Sequence, residues 1–181
     1  LLALSIVMVA PVGFKFFAAL QFVRSSPAEE HEKFVVCQVP CYTEGTESIR
    51  KTVNSIARLR YDDRRKLIFV ICDGNIMGAG NDKPTPQLVL EMLGADPDAH
   101  CEPRSFLSLG QGSKQHNMAR VYSGLYEHAG HLVPYLVDVK CGTPQETARP
   151  GNRGKRDSQL VLMRFFTKVH FGSPMSPREL E

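Results

Sequence analysis

The run that most narrows what this chain can fold into is residues 66–74, KLIFVICDG. Its apolar residues stand at consecutive positions, so a strand here is buried on both faces, as in a parallel sheet covered by helices. A shorter apolar run from Phe34 to Val39, closed by Pro40, predicts a strand before it, and between the two Ile49, Val53, Ile56 and Leu59 recur at helical spacing. Strand, loop, amphipathic helix and strand in that order make the start of an α/β fold. Further along, QLVLEMLG predicts a short helix closed by Gly94, and Met118, Val121, Leu125 and Tyr126 predict a helix over residues 117–126. HLVPYLVDVK predicts a strand in which Pro134 marks an edge or a bulge, and SQLVLMRFFTKVHF predicts a long helix. Residues 74–86 and 141–157, dense in Gly and Pro, read as loops, and residues 95–104 as irregular.

The chain opens inside an apolar run, LLALSIVMVAPVGFKFFAALQF, in which Lys15 is the sole charge. As a helix, residues 1–22 would rise roughly 33 Å, enough to cross a hydrocarbon core, and the expectation is the end of a transmembrane helix of a longer parent. A signal peptide or a buried core helix is the competing reading, against which stand the lack of a basic stretch and of a small-residue cleavage site. Residues 23–33, VRSSPAEEHEK, read as a polar linker, and residues 34–181 as the first part of a soluble domain.

Composition limits the functional classes. With 181 residues, 43% of them hydrophobic, the chain is long enough for a real core and too apolar for general disorder. A net charge of +3 with locally clustered cations argues against nucleic-acid binding and for a local anion site. Cys37, Cys41, Cys72, Cys101 and Cys141 are odd in number and lack a Cys-x-x-Cys pair, which favours buried thiols in a reducing compartment over disulfides or zinc.

Ligands of open α/β sheets sit beyond the carboxyl ends of the strands, so the polar residues that follow strands are the candidates. Pro40-Cys41-Tyr42-Thr43-Glu44 sets a ring that can stack on a base and a carboxylate that can accept from ribose hydroxyls, although Glu44 could equally favour a helix N-terminus. Asp73-Gly74 ends the strongest strand; Asp73 can hold a ribose or a uracil N–H and Gly74 lets a ligand approach the backbone, and the same pair is also a common turn. Arg149 to Asp157, RPGNRGKRD, is a basic, Gly-rich loop feeding a helix N-terminus, suited to a diphosphate, or else a solvated loop or a lipid-surface contact.

Other motifs are weaker. Gly78-Ala79-Gly80 with Lys83, and Gly110 to Lys114, lack the spacing of phosphate loops. Asp96-Pro97-Asp98 has the form of a metal-binding Asp-x-Asp but follows a helix instead of a strand, and Asp138 is well placed but lacks a second carboxylate. His116, His128 and His131 read as surface or capping residues.

In order, VPCYTEG, SIRKTVNSIARLRY, KLIFVICDGNIMGAGND, GSKQHNMARVYSGLY, VKCGTP and RPGNRGKRDSQLVLMRFF resemble the chitin synthases of fungi over nearly the whole chain, nearest the branch that includes enzymes with a myosin-like motor domain. The resemblance implies a partial GT-A-like, Rossmann-like nucleotide-sugar-binding sheet with flanking helices. It implies a processive, inverting transfer of N-acetylglucosamine from UDP-N-acetylglucosamine to a growing β-1,4 chitin chain, by a multi-pass enzyme of the plasma membrane with residues after the linker facing the cytoplasm. It makes Pro40, Tyr42, Glu44, Asp73 and Gly74 the uridine side of a substrate site, and Asn152, Lys155 and Arg156 the side that offsets donor charge. Mg2+ or Mn2+ would assist, with ligands beyond residue 181, as would the family's Asp-x-Asp, Glu-Asp-Arg and Gln-x-x-Arg-Trp segments; this sequence has no Trp. The segment alone is therefore expected to be inactive. A non-catalytic, membrane-tethered UDP-sugar-binding or partner-binding module is the alternative, a hyaluronan or cellulose type of synthase a third reading, and homo-oligomerisation of the parent is left open. Asp138 departs from the aliphatic residue expected in this branch.

Overall fold

The computed structural model describes residues 2–19, 32–96 and 101–181. They form two units, residues 1–32 and 33–181. In the first, helix α1 spans Leu2–Ala19 with Pro11 inside it. Its 18 residues rise about 27 Å, and among the described residues no helix is long and apolar enough to cross a membrane. Of the expected span over residues 1–22, residues 2–19 are helical, and residues 1 and 20–22, with most of the linker, lie outside the described residues.

The second unit is built on a mixed five-stranded sheet: β1 (Val35–Cys41), β2 (Lys66–Cys72), β3 (Arg104–Leu107), β4 (His116–His128) and β5 (His131–Lys140), in the order β1-β2-β5-β4-β3. β1, β2 and β5 run parallel, and β4 and β3 are antiparallel additions. The residues of β2 from Ile68 to Cys72 alternate between two cores: Ile68, Val70 and Cys72 join one with α2 (Thr46–Ala57) and α3 (Thr85–Leu93), while Phe69 and Ile71 join another with Val161 of α4 (Lys155–Phe171). The continuous apolar run reflects these two covered faces. Pro40 is tolerated because β1 is an edge strand, and Pro134 because it lies before the stretch of β5 that pairs with β2.

α2 buries Ile49, Val53 and Ala57 and stops there; Leu59, expected on the same face, lies beyond the helix and is exposed. Lys66, fully buried at the start of β2, ends that helix by donating to the carbonyls of Ala57 (2.9 Å) and Leu59 (3.1 Å) while pairing with Asp63 at 2.6 Å.

The helix expected over residues 117–126 is a strand. β4 pairs with β5 from Ala119↔Lys140 to His128↔His131, a long-range ladder that outweighs a weak helical spacing. The two strands meet in a two-residue turn, Ala129-Gly130, with both φ positive at 51° and 82°, the pattern of a type I′ hairpin. Leu125, read as part of a buried helical face, points out at 61% exposure, and Gly124 opposite Tyr135 leaves room for the tyrosine ring, since a Cβ there would lie 2.6 Å from its oxygen.

Candidate functional site

β1, β2 and β5 are parallel, so their carboxyl ends deliver Tyr42 to Glu44, Asp73-Gly74 and Lys140-Cys141 to one edge of the sheet. A cavity of about 370 Å3 opens there, lined by Pro40, Cys41, Tyr42, Glu44, Asp73, Asn152, Gly154, Lys155 and Ser158. The structure therefore brings together Pro40, Tyr42, Glu44, Asp73, Asn152 and Lys155 from segments far apart in sequence. Gly74 and Arg156 stand beside the cavity without lining it.

Each wall has its own cause. Glu44 folds back so that its Oε2 accepts from the N–H groups of Tyr42 (2.5 Å) and Thr43 (3.1 Å), which fixes the bend after β1. Its main-chain carbonyl accepts from Asn81 and Thr85 at 3.4 Å, anchoring that bend to the loop before α3. Gly74 has φ +98°, and a Cβ there would meet the carbonyl oxygen of Pro150 at 2.9 Å, so its missing side chain admits the loop of residues 150–152 instead of a ligand. Lys155 and Arg156, at the start of α4, are exposed cations.

The Asp73 carboxylate is occupied by the protein. Oδ1 accepts from Lys140 Nζ (2.9 Å) and the Arg153 N–H (3.0 Å); Oδ2 accepts from Asn152 Nδ2 (3.0 Å) and the Gly154 N–H (2.8 Å). Lys140, fully buried, also donates to Ser158 Oγ at 2.9 Å and pairs with Asp157 at 2.7 Å. Asp157 in turn accepts from the Leu109 N–H at 2.6 Å.

A second clamp shapes the same loop. Arg153 pairs with Glu146 and donates to the carbonyls of Lys114 (2.7 Å) and His116 (3.0 Å). The Arg153 guanidinium, with help from the N–H groups of Gly151 and Thr143, holds the Glu146 carboxyl down at about 2. Asn117 donates to the Gly151 carbonyl at 3.0 Å and accepts from the Gly142 N–H at 3.1 Å. The GSKQHN segment is thus scaffolding for the basic loop, and its Gly112–Gln115 stretch is a short 3-10 turn.

Lys140, Glu146 and Ser158 were not singled out by the sequence, and Asp157 entered only as the last residue of the basic loop. A lysine closing an apolar strand, with an aspartate and a serine opening the later helix, was the available signal. Asp138 is buried within the sheet beside Arg178 (3.3 Å), whose guanidinium lies 3.8 Å from the Phe106 ring centre; burial pushes its carboxyl up. His131 pairs with Asp63 at 3.1 Å, His128 stacks near Tyr126, and Pro97 and Asp98 of the Asp-x-Asp candidate lie outside the described residues.

A family model described as chitin synthase matches residues 9–181. The chain belongs to the chitin synthase family. It is 71% identical over its full 181 residues to chitin synthase 8 of Mycosarcoma maydis, covering 9% of that protein. It is 65% identical to chitin synthase 5 of Cryptococcus neoformans var. grubii, covering 9%, and 60% identical to chitin synthase E of Aspergillus fumigatus, covering 10%, again across the whole chain. The chain therefore spans about a tenth of the length of these relatives. No solved structure matches.

Proposed function

We propose that residues 34–181 form the donor-nucleotide side of a fungal chitin synthase with a GT-A-like sheet, in which the parent transfers N-acetylglucosamine from UDP-N-acetylglucosamine to a growing β-1,4 chitin chain. The observation that carries this reading is the cavity at the carboxyl ends of β1 and β2, walled by Tyr42, Glu44 and Asp73 on one side and by Asn152 and Lys155 at the start of α4 on the other. Tyr42 offers a ring for the base. Glu44 keeps one carboxylate oxygen for ribose hydroxyls while the other orders its own loop. Lys155, Arg156 and the first N–H groups of α4 favour the diphosphate and the charge that grows on it as the glycosidic bond breaks.

The acceptor base is assigned beyond residue 181, and so is the metal. A magnesium or manganese ion would share the charge of the leaving diphosphate. Among the described residues no group of three or more His, Cys, Asp or Glu could hold it. Membrane insertion of the parent, through residues 1–22 and further helices, with the sheet on the cytoplasmic side, belongs to the same reading.

The test is incorporation of labelled N-acetylglucosamine into insoluble polymer by the full-length parent. Asp73→Ala is expected to abolish it with membrane insertion intact, and Lys155→Ala to raise KM for the donor about tenfold. Normal polymer formation by Asp73→Ala would remove this segment from the donor site.

A further inference from the structure

We infer that the face of the sheet under α4 is a docking groove for a helix of the parent that begins at Pro177 and continues through the residues following Glu181. The two faces of the sheet are covered unequally. Among the described residues, sixteen buried side chains make the core on the α2 and α3 face and five make the core on the α4 face. Yet β1, β2 and β5 run parallel, and such strands are ordinarily covered on both sides. The shortfall is a cavity of about 410 Å3 between the sheet and α4, walled by Val36, Leu67 and Leu136 from the strands and by Leu162, Phe165 and Phe166 from the helix. Arg178, Leu180 and Glu181 line the same cavity, so the chain passes residue 181 beside it.

Residues 176–179 carry the start signal of a helix. Ser176 and Glu179 form a capping box: the Ser176 side chain accepts from the Glu179 N–H, and Glu179 Oε2 accepts from the Ser176 N–H at 2.6 Å, with Pro177 at the first position of the turn. A lone 3-10 turn, Pro177–Leu180, gains little from such a cap, which is the usual opening of a longer helix. Three anchors aim the turn. Glu179 pairs with Lys168 of α4 at 2.6 Å, and Glu181 accepts from Arg104 Nε of β3 at 2.7 Å. Arg178 is buried, with its guanidinium 3.8 Å from the Phe106 ring centre and 3.3 Å from Asp138. Asp138 indicates what the occupant carries. It lines the cavity at 2% exposure, and its Oδ1 meets no hydrogen-bond donor among the described residues, a costly condition for a buried oxygen. The occupant is thus an apolar helix face with a hydrogen-bond donor turned toward Asp138, whereas a lipid chain would bring none. Leu180, 74% exposed, is the first apolar side chain of that face. Relatives match the chain through residue 181 while it spans about a tenth of their length, so the parent has ample chain to form the helix.

The experiment places the photoreactive p-benzoylphenylalanine at Phe166 of the full-length parent in its membrane, irradiates it and maps the products by peptide mass spectrometry. Products are expected within the roughly fourteen residues after Glu181, about four helical turns, at spacings of three or four positions. Cross-links confined to other parts of the parent, to a second copy or to lipid, products at every second position, or no product at all would overturn the inference. Phe166→Glu, at a side chain 44% exposed and therefore tolerable for the fold, sets a charge in the groove. Amide hydrogen exchange in the same segment after Glu181 is expected to rise about tenfold or more while β2 and β5 stay protected. Unchanged exchange there would equally contradict the docked helix. If β2 and β5 lose protection as well, the cross-linking of the otherwise native parent decides.

Discussion

Glu146 shows how much of the site depends on single groups outside it. Its carboxyl, ordinarily near 4.5, sits at about 2 because Arg153 and two backbone N–H groups hold its charged form. A carboxylate with a depressed folded value contributes stability that is complete above about pH 4.5 and is lost as pH falls toward about 2, because only the unfolded chain takes up the proton in that window. Unfolding by urea is expected to show a gap between the native chain and Glu146→Gln that narrows steadily from about pH 5 downward. A gap independent of pH would mean that the pair with Arg153 contributes nothing. At this scale the sequence told where Asp73 stands but not what it touches. Its partners, Lys140, Asn152, Arg153 and Gly154, lie 67 to 81 positions away, and no local pattern links them. Arg153 belongs to a basic loop in which the sequence separates no one cation by its contacts; the structure divides it into a clamped Arg153 and the exposed Lys155 and Arg156.

Elements were legible where one periodicity dominated. β2 was evident because both of its faces are covered, and α2 because Ile49 and Val53 repeat along one side. β4 was not, since its burial comes from Tyr126 and Ala119 on opposite faces and its stability from pairing with β5. The Ala129-Gly130 turn was the missed signal: Gly at its second position is common in two-residue hairpins, but the alanine before it is an unusual partner. Ala129 adopts φ 51°, which a residue with a Cβ does at a cost. Ala129→Asn should therefore raise stability by about 1 kcal/mol, read as a higher thermal midpoint, because asparagine tolerates that conformation better. A lower midpoint would show that the turn does not set the register of β4 against β5.

The whole unit is a sheet whose parallel half carries the cavity and whose antiparallel half, β4 and β3, braces it. The order of strands, loops and helices along the first half of the chain predicted the sheet edge at which the candidate residues gather. The antiparallel addition was hidden because the apolar residues of β4 fall at helical spacing, although β3, β4 and β5 follow one another both in sequence and across the sheet. The most direct test of the donor site is photolabelling of the full-length parent with 5-azido-UDP-N-acetylglucosamine, followed by peptide mapping. Labelling within residues 40–44 or 152–156, suppressed by excess UDP, is the expected result. UDP-suppressible labelling confined to other parts of the parent would contradict the placement of the donor at the ends of β1 and β2.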